Sequence, residues 1–180
     1  MSPEARPAAA VYDPGSADIP PTLGPVLTDP DTPILLLVTA TADDRALQTA
    51  IGLANARGAA GHATVLGDAA VTDPRLHQLL GVDNVEGLAD LFLFGASLEH
   101  VRTRPHGWPF DFVPTGAYVP DPGAVLDSAR WDRIGEELEA AGEVMLLMVP
   151  AATPGLGALS RRTRRAILIG DGPRPGPGTV

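Results

Sequence analysis

The sequence contains neither cysteine nor lysine, and aromatic residues make up only 4% of it. Without cysteine there is no disulfide framework, no thiolate zinc site and no sulfur nucleophile. All thirteen basic residues are arginine, so no chemistry that depends on an ammonium group can come from this chain. The shortage of aromatics leaves Leu, Val, Ile and Ala to build the core. Long hydrophobic runs are missing too: a stretch such as Ile34 to Val38 is far below the ~20 residues of a membrane span, and no basic and apolar leader opens the sequence. A soluble, cytoplasmic protein is the expectation. The formal net charge of −9 repels nucleic acid and anionic lipid wherever positive charge is not gathered locally.

What is present fits one globular domain of 180 residues, with 44% hydrophobic and 19% charged residues. Residues 1–32, rich in Pro, Asp and Ala without sustained periodicity, read as an extended or partly disordered arm, and 172–180 as a Pro/Gly-rich tail. Between them, short apolar runs alternate with helical patterns. Strands are predicted at Ile34–Val38, His62–Leu66, around Phe110–Val113, at Val144–Val149 and at Ala166–Ile169. Helices are predicted over Asp43–Arg57, Asp73–Leu80, Gly87–Phe94, Val125–Ala141 and Leu156–Arg165. A strand such as Val144–Val149, apolar at every position, belongs in a parallel sheet covered on both faces. The order βαβα predicts an α/β fold with a doubly wound, mostly parallel sheet in three layers, and ligands at the carboxyl ends of its strands.

In such a sheet the turn after the first strand is the natural phosphate site, because backbone N–H groups and a helix N-terminus point at it. A working P-loop needs glycines to wrap the phosphates, Lys for their charge and Ser or Thr for Mg²⁺. This turn reads Thr39-Ala40-Thr41-Ala42-Asp43-Asp44-Arg45-Ala46-Leu47-Gln48-Thr49 and has no glycine. Asp43 and Asp44 stand where a triphosphate would sit, and like charges oppose one another there. As N-cap and first-turn residues they satisfy the helix end without a ligand.

Several segments, in order, resemble the kinase domain of the bacterial tyrosine kinases of capsular and exopolysaccharide export, relatives of the chromosome-partitioning and septum-positioning ATPases. Thr49-Ala50-Ile51-Gly52-Leu53-Ala54 is similar to the family's Thr-Ala-x-Asn-Leu-Ala, and Val65-Leu66-Gly67-Asp68-Ala69-Ala70 to its second-strand motif with two aspartates. Pro74-Arg75-Leu76-His77-Gln78-Leu79-Leu80-Gly81 resembles Arg-Pro-x-Leu-His-x-Leu-Leu-Gly, and Gly87-Leu88-Ala89-Asp90 with Ala96-Ser97-Leu98-Glu99 resembles Gly-Leu-Ser-Asp and Ser-Leu-Glu. Phe112-Val113-Pro114-Thr115-Gly116 and Pro120-Asp121-Pro122 are similar to Leu-Pro-Ala-Gly and Pro-Asn-Pro. The resemblance runs from about Pro33 to Asp171, and it implies a truncated P-loop NTPase-like domain over 33–171.

The departures fall on the chemistry that the resemblance would carry. Ala46 stands at the P-loop Lys, Leu47 at the Mg²⁺-binding hydroxyl, and Asp43 and Arg45 at glycines. Asp68 remains of the aspartate pair while Ala70 replaces the other, and Met148 occupies the metal-holding Asp of the later strand. The family's tyrosine-rich tail is missing, since only Tyr12 and Tyr118 are present. The expectation is a catalytically inactive, tyrosine-kinase-like protein acting through protein contact, with no catalytic residue, no metal and no bound cofactor. Its partner is expected to be a kinase, a membrane-anchored polysaccharide-export protein or a second copy, and not nucleic acid. The alternative is a divergent ATP- and Mg²⁺-binding tyrosine kinase or ATPase of the polysaccharide-export or chromosome-partitioning type, relying on Arg45, Asp68 and Thr49. A third reading is a Rossmann-like module for a small anion.

Among the remaining polar residues, Asp68 reads as a loop cap and His77 as a structural histidine, while His62, His100 and His106 lack metal-ligand spacing. Arg45 reads as the partner of Asp43, Asp44 or a neighbouring carboxylate. Arg161, Arg162, Arg164 and Arg165 concentrate positive charge in an acidic chain. Two readings stand side by side for them: a solvated helix end favoured by the dipole, or contact with an acidic partner or headgroups.

Overall fold

The computed structural model describes residues 18–40, 43–116 and 118–170. Five strands form one all-parallel sheet: β1 (Ile34–Thr39), β2 (Thr64–Asp68), β3 (Asp111–Val113), β4 (Val144–Pro150) and β5 (Arg165–Ile169), in the order β3-β2-β4-β1-β5. The most apolar strands, β1 and β4, are neighbours in the interior of the sheet and pair in register from Ile34↔Met145 to Thr39↔Pro150. Parallel strands need crossover connections, and helices on both faces supply them.

Alternation along β1 divides the core in two. Ile34 and Leu36 enter one cluster with Trp131, Ile134 and Leu138, while Leu35 and Leu37 enter the other with Leu47, Ile51, Leu66 and Met148. The second cluster lies under α2 (Asp44–Ala59), the first under α6 (Arg130–Ala141). Both helices carry apolar residues at helical spacing, so each covers a sheet face as the sequence predicts.

Several boundaries depart from the sequence reading. The arm expected over 1–32 is described only from Asp18 on, and there it is not extended: α1 (Gly24–Leu27) forms, with Leu27 fully buried. Ile19, Leu23 and Val26 pack on the α2-side cluster, at spacings of four and three residues masked in the sequence by surrounding prolines. The tail 172–180 lies outside the described residues. The second strand sits two residues later than predicted, which makes Asp68 its last residue. The helix predicted from Asp73 begins only at Leu76, giving α3 (Leu76–Leu80), because the backbone N–H of Leu76 is drawn onto the Asp68 carboxylate at 3.3 Å.

The piece predicted over Gly87–Phe94 is a single π-helical turn, Asp90–Phe94, followed by the short helix α4 (Leu98–Val101). The helix predicted over Val125–Ala141 is broken into α5 (Pro122–Leu126) and α6. Ser128 Oγ accepts from the Arg130 N–H, and the Trp131 indole N–H donates to the Val125 carbonyl at 2.9 Å. These bonds take up backbone groups that a continuous helix would use. The last helix, α7 (Leu156–Arg162), stops before Arg165, which opens β5 instead.

Candidate functional site

The carboxyl ends of β1, β4 and β2 carry Thr39, Met148 and Asp68. Asp68 is in register with Met148, and Met148 with Leu37, two residues before Thr39. Alternation from Leu37, Leu66 and Leu146, all in the α2-side cluster, places Thr39, Asp68 and Met148 on that same face. The start of α2 closes over them. The turn's Thr41 and Ala42 lie outside the described residues.

Asp43 is the N-cap of α2, and its carboxylate accepts from the Ala46 N–H at 2.9 Å. Asp44, in the first turn, forms an ion pair with Arg75, tying α2 to the segment that leads into α3. The Arg45 carbonyl accepts from the Thr49 hydroxyl at 2.8 Å. Ala46 and Leu47 point inward, and both belong to the apolar cluster that contains Met148. Met148 and Leu47 are fully buried. Ala46, Leu47 and Met148 thus contribute methyl and thioether groups to one apolar cluster, and these groups carry neither a donor for phosphate nor an oxygen ligand for Mg²⁺.

Asp68 is also fully buried. Its carboxylate accepts from the backbone N–H groups of Ala70 at 3.0 Å and Leu76 at 3.3 Å, with a further backbone bond from Arg75. Burial outweighs these donors and pushes its acid up to about 6. The Asp68 carbonyl accepts from the Thr115 hydroxyl at 2.8 Å. The side chain therefore gathers the 69–76 loop onto β2. Thr39 Oγ1 is buried and has no hydrogen-bond partner among the described residues. Sequence reasoning missed Thr39 and Thr115; a hydroxyl ending the wholly apolar run of β1 was the available signal for the first.

The histidines do not converge, and among the described residues no group of three or more His, Asp or Glu side chains is placed to hold a metal ion. His100 pairs with Glu86 at 3.2 Å on the surface. A groove of about 200 Å³ lies at the opposite end of the sheet, near the start of β1, lined in part by Ile34, Trp131, Glu136, Arg162 and Arg164.

Of the arginine run, Arg161 and Arg162 occupy the last turn of α7, and Arg165 opens β5. Arg162 pairs with Asp132 of α6, and Arg165 with Asp29 at 3.1 Å. Arg161 and Arg164 are exposed, with no ion pair to the described residues. The run is therefore divided into two anchored and two outward-facing side chains.

No family model and no curated protein matches the sequence. Solved structures do match the fold. The kinase domain of the Escherichia coli tyrosine kinase ETK superposes with a TM-score of 0.73 at 20% identity, over 82% of this chain and 58% of that domain. The VpsO kinase domain gives 0.68 at 18% identity, over 81% and 73%, and MinD of Pyrococcus horikoshii, solved with Mg-ADP, gives 0.55 at 18%, over 76% and 57%. The fold is that of the bacterial tyrosine-kinase domains. The chain spans little more than half the length of the ETK domain it matches.

The shared fold gives physical meaning to the segments on which the resemblance rests. Gly87 lies so close to the segment after β3 that a Cβ there would come within 2.1 Å of the Pro114 carbonyl oxygen. Leu88 and Ala89 donate to the Pro114 and Thr115 carbonyls, both at 2.9 Å, and Asp90 accepts from the Gly87 N–H at 2.8 Å. Gly-Leu-Ala-Asp and Val-Pro-Thr-Gly are thus two halves of one packing contact, which serves the fold whether or not nucleotide binds.

Proposed function

We propose that this protein is a non-catalytic counterpart of the P-loop tyrosine kinases and acts by binding another protein. One observation carries the reading: Ala46, Leu47 and Met148 are packed in a single buried apolar cluster at the strand ends where phosphate and metal would have to be held. Asp43 already occupies an N–H of the helix end that a phosphate would use. As a contact surface, α2 has nine of its 16 residues buried and offers little beyond its first two turns. The segment Arg161, Arg162, Arg164 and Arg165 is the better candidate for an acidic partner. A role in exopolysaccharide biosynthesis or export, in the cytoplasm, belongs to the same proposal. It predicts that the gene lies among glycosyltransferases and export proteins.

A second reading, a divergent ATP-binding tyrosine kinase or ATPase, draws on two observations. Asp68 keeps a buried carboxylate at the end of β2, and the buried Thr39 hydroxyl at the end of β1 lacks a partner. An assay of ADP release from Mg-ATP, which both a kinase and an ATPase would give, decides between them. The non-catalytic reading expects no release above buffer. Release that disappears in Asp68→Ala, with the variant still folded, supports the enzyme.

A further inference from the structure

Among the described residues, Asp68 is the one carboxylate that the core buries completely. A buried charge is ordinarily paired, yet none of the ion pairs formed by the described arginines and histidines includes it. Backbone amides hold it instead. Oδ1 accepts from the Ala70 N–H at 3.0 Å, Oδ2 from the Leu76 N–H at 3.3 Å, and the Arg75 N–H adds a third bond. One side chain thus fastens both ends of the loop between β2 and α3. The other charged or titratable groups on the elements packed around it are Asp73 in the loop, Arg75 and His77 at the start of α3, Asp43, Asp44 and Arg45 at the head of α2, and Asp90 beyond Thr115. β4 contributes none, since its residue in register with Asp68 is Met148.

Such a place suits a group that changes charge. A cap alone would be met by asparagine, whose amide costs less to bury than a carboxylate. A carboxylate differs in offering two accepting oxygens, one of which becomes an O–H donor when it takes up a proton. Burial raises the Asp68 acid to about 6, so the proton arrives in mild acid. Of the two oxygens, Oδ2 holds Leu76 by the longer bond, and the weaker bond is the one a proton displaces at lower cost. The Arg75 side chain pairs with Asp44 of α2, so the start of α3 hangs between a buried carboxylate and an exposed one.

We propose that the Asp68 carboxyl is a proton-operated latch on the loop 69–76. Ionised, it binds the Ala70, Arg75 and Leu76 amides and holds the start of α3 against the end of β2. Protonated at Oδ2, it keeps Ala70 on Oδ1 and releases the Leu76 N–H. The first turn of α3 then loosens while the Leu76 and Leu80 side chains stay packed in the α2-side cluster. The surface around the exposed Thr72 and Asp73 is therefore fixed at neutral pH and mobile in mild acid. The latch depends neither on nucleotide nor on the arginine segment.

The test follows amide hydrogen exchange of the full chain by NMR between about pH 5 and about pH 7.5, corrected for the intrinsic pH dependence of exchange. Protection at Leu76 should fall about fivefold as pH drops, the worth of one hydrogen bond, while Ala70 and, in β4, Leu146 keep theirs. Global unfolding cannot mimic this, because burial of Asp68 makes the whole chain more stable as pH falls. Asp68→Asn, which resembles the protonated acid, should leave Leu76 weakly protected at every pH. His77→Gln should leave the wild-type profile unchanged. Should Asp68→Asn fail to fold, the carbon-13 shift of the wild-type Asp68 carboxyl gives its titration directly, and its midpoint should coincide with that of the Leu76 amide. Constant protection at Leu76, a loss shared with Leu146, a response that persists in Asp68→Asn or vanishes in His77→Gln, or two different midpoints overturns the latch.

Discussion

Arg57 and Asp68 are the two buried ionisable residues that fix the ends of β2, and each does so through backbone groups. Arg57, 3% exposed, donates to the Leu27 carbonyl and to Thr64 Oγ1, both at 2.8 Å, and also to the Ala63 carbonyl. Desolvation lowers its pKa to about 10, which leaves it charged at neutral pH. Arg57→Ala would strand three acceptors and detach α1 from α2, so chemical denaturation should show a loss of about 3 kcal/mol. Asp68 behaves in the opposite sense. Its folded-state value of about 6 lies above the ordinary 3.8, so the fold favours the neutral acid. Its contribution to stability is full below pH ~4 and is lost as pH rises through about 6, a span worth on the order of 3 kcal/mol. Denaturation curves for wild type and Asp68→Asn across pH 4 to 7 check this: the difference between them should change in that window, with the variant gaining relative stability as pH rises.

At the scale of elements, what could be read beforehand followed burial. β1 and β4 were legible because runs of five and six consecutive apolar residues fit a strand buried on both faces of a sheet. That the turn after β1 has neither glycine nor lysine is visible in the sequence itself. Side-chain hydrogen bonds to the backbone were not legible. Leu76 begins α3 only because Asp68 reaches its N–H, and the chain turns between α5 and α6 through Ser128 and Trp131. None of these three bonds leaves a periodic trace. Arg57 was nearly legible: it follows Ala54 by three residues, on the buried stripe of α2. Two substitutions test the elements directly. Asp43→Ala removes the cap of α2 and should cost about 1 kcal/mol. Gly87→Ala drives a methyl group into the Pro114 carbonyl and should cost about 3 kcal/mol or prevent folding, as read by thermal melting.

For the whole molecule, the fold is that of the bacterial tyrosine-kinase domains, and the buried Ala46, Leu47 and Met148 share one apolar cluster on the α2 side of the sheet. Parts of the fold that serve stability remain, including the contact between Gly87 and Pro114 and the alternation of helices over the sheet. No described helix is long and apolar enough to cross a membrane. Arg161 faces outward in the last turn of α7, and Arg164 does so just before β5. The central claim is that methyl and thioether groups of Ala46, Leu47 and Met148 fill the place of a triphosphate and its metal. Titration calorimetry of the full chain with Mg-ATP and Mg-ADP measures this directly. The account predicts no heat beyond dilution up to millimolar nucleotide; a saturable one-to-one isotherm with either nucleotide would contradict it.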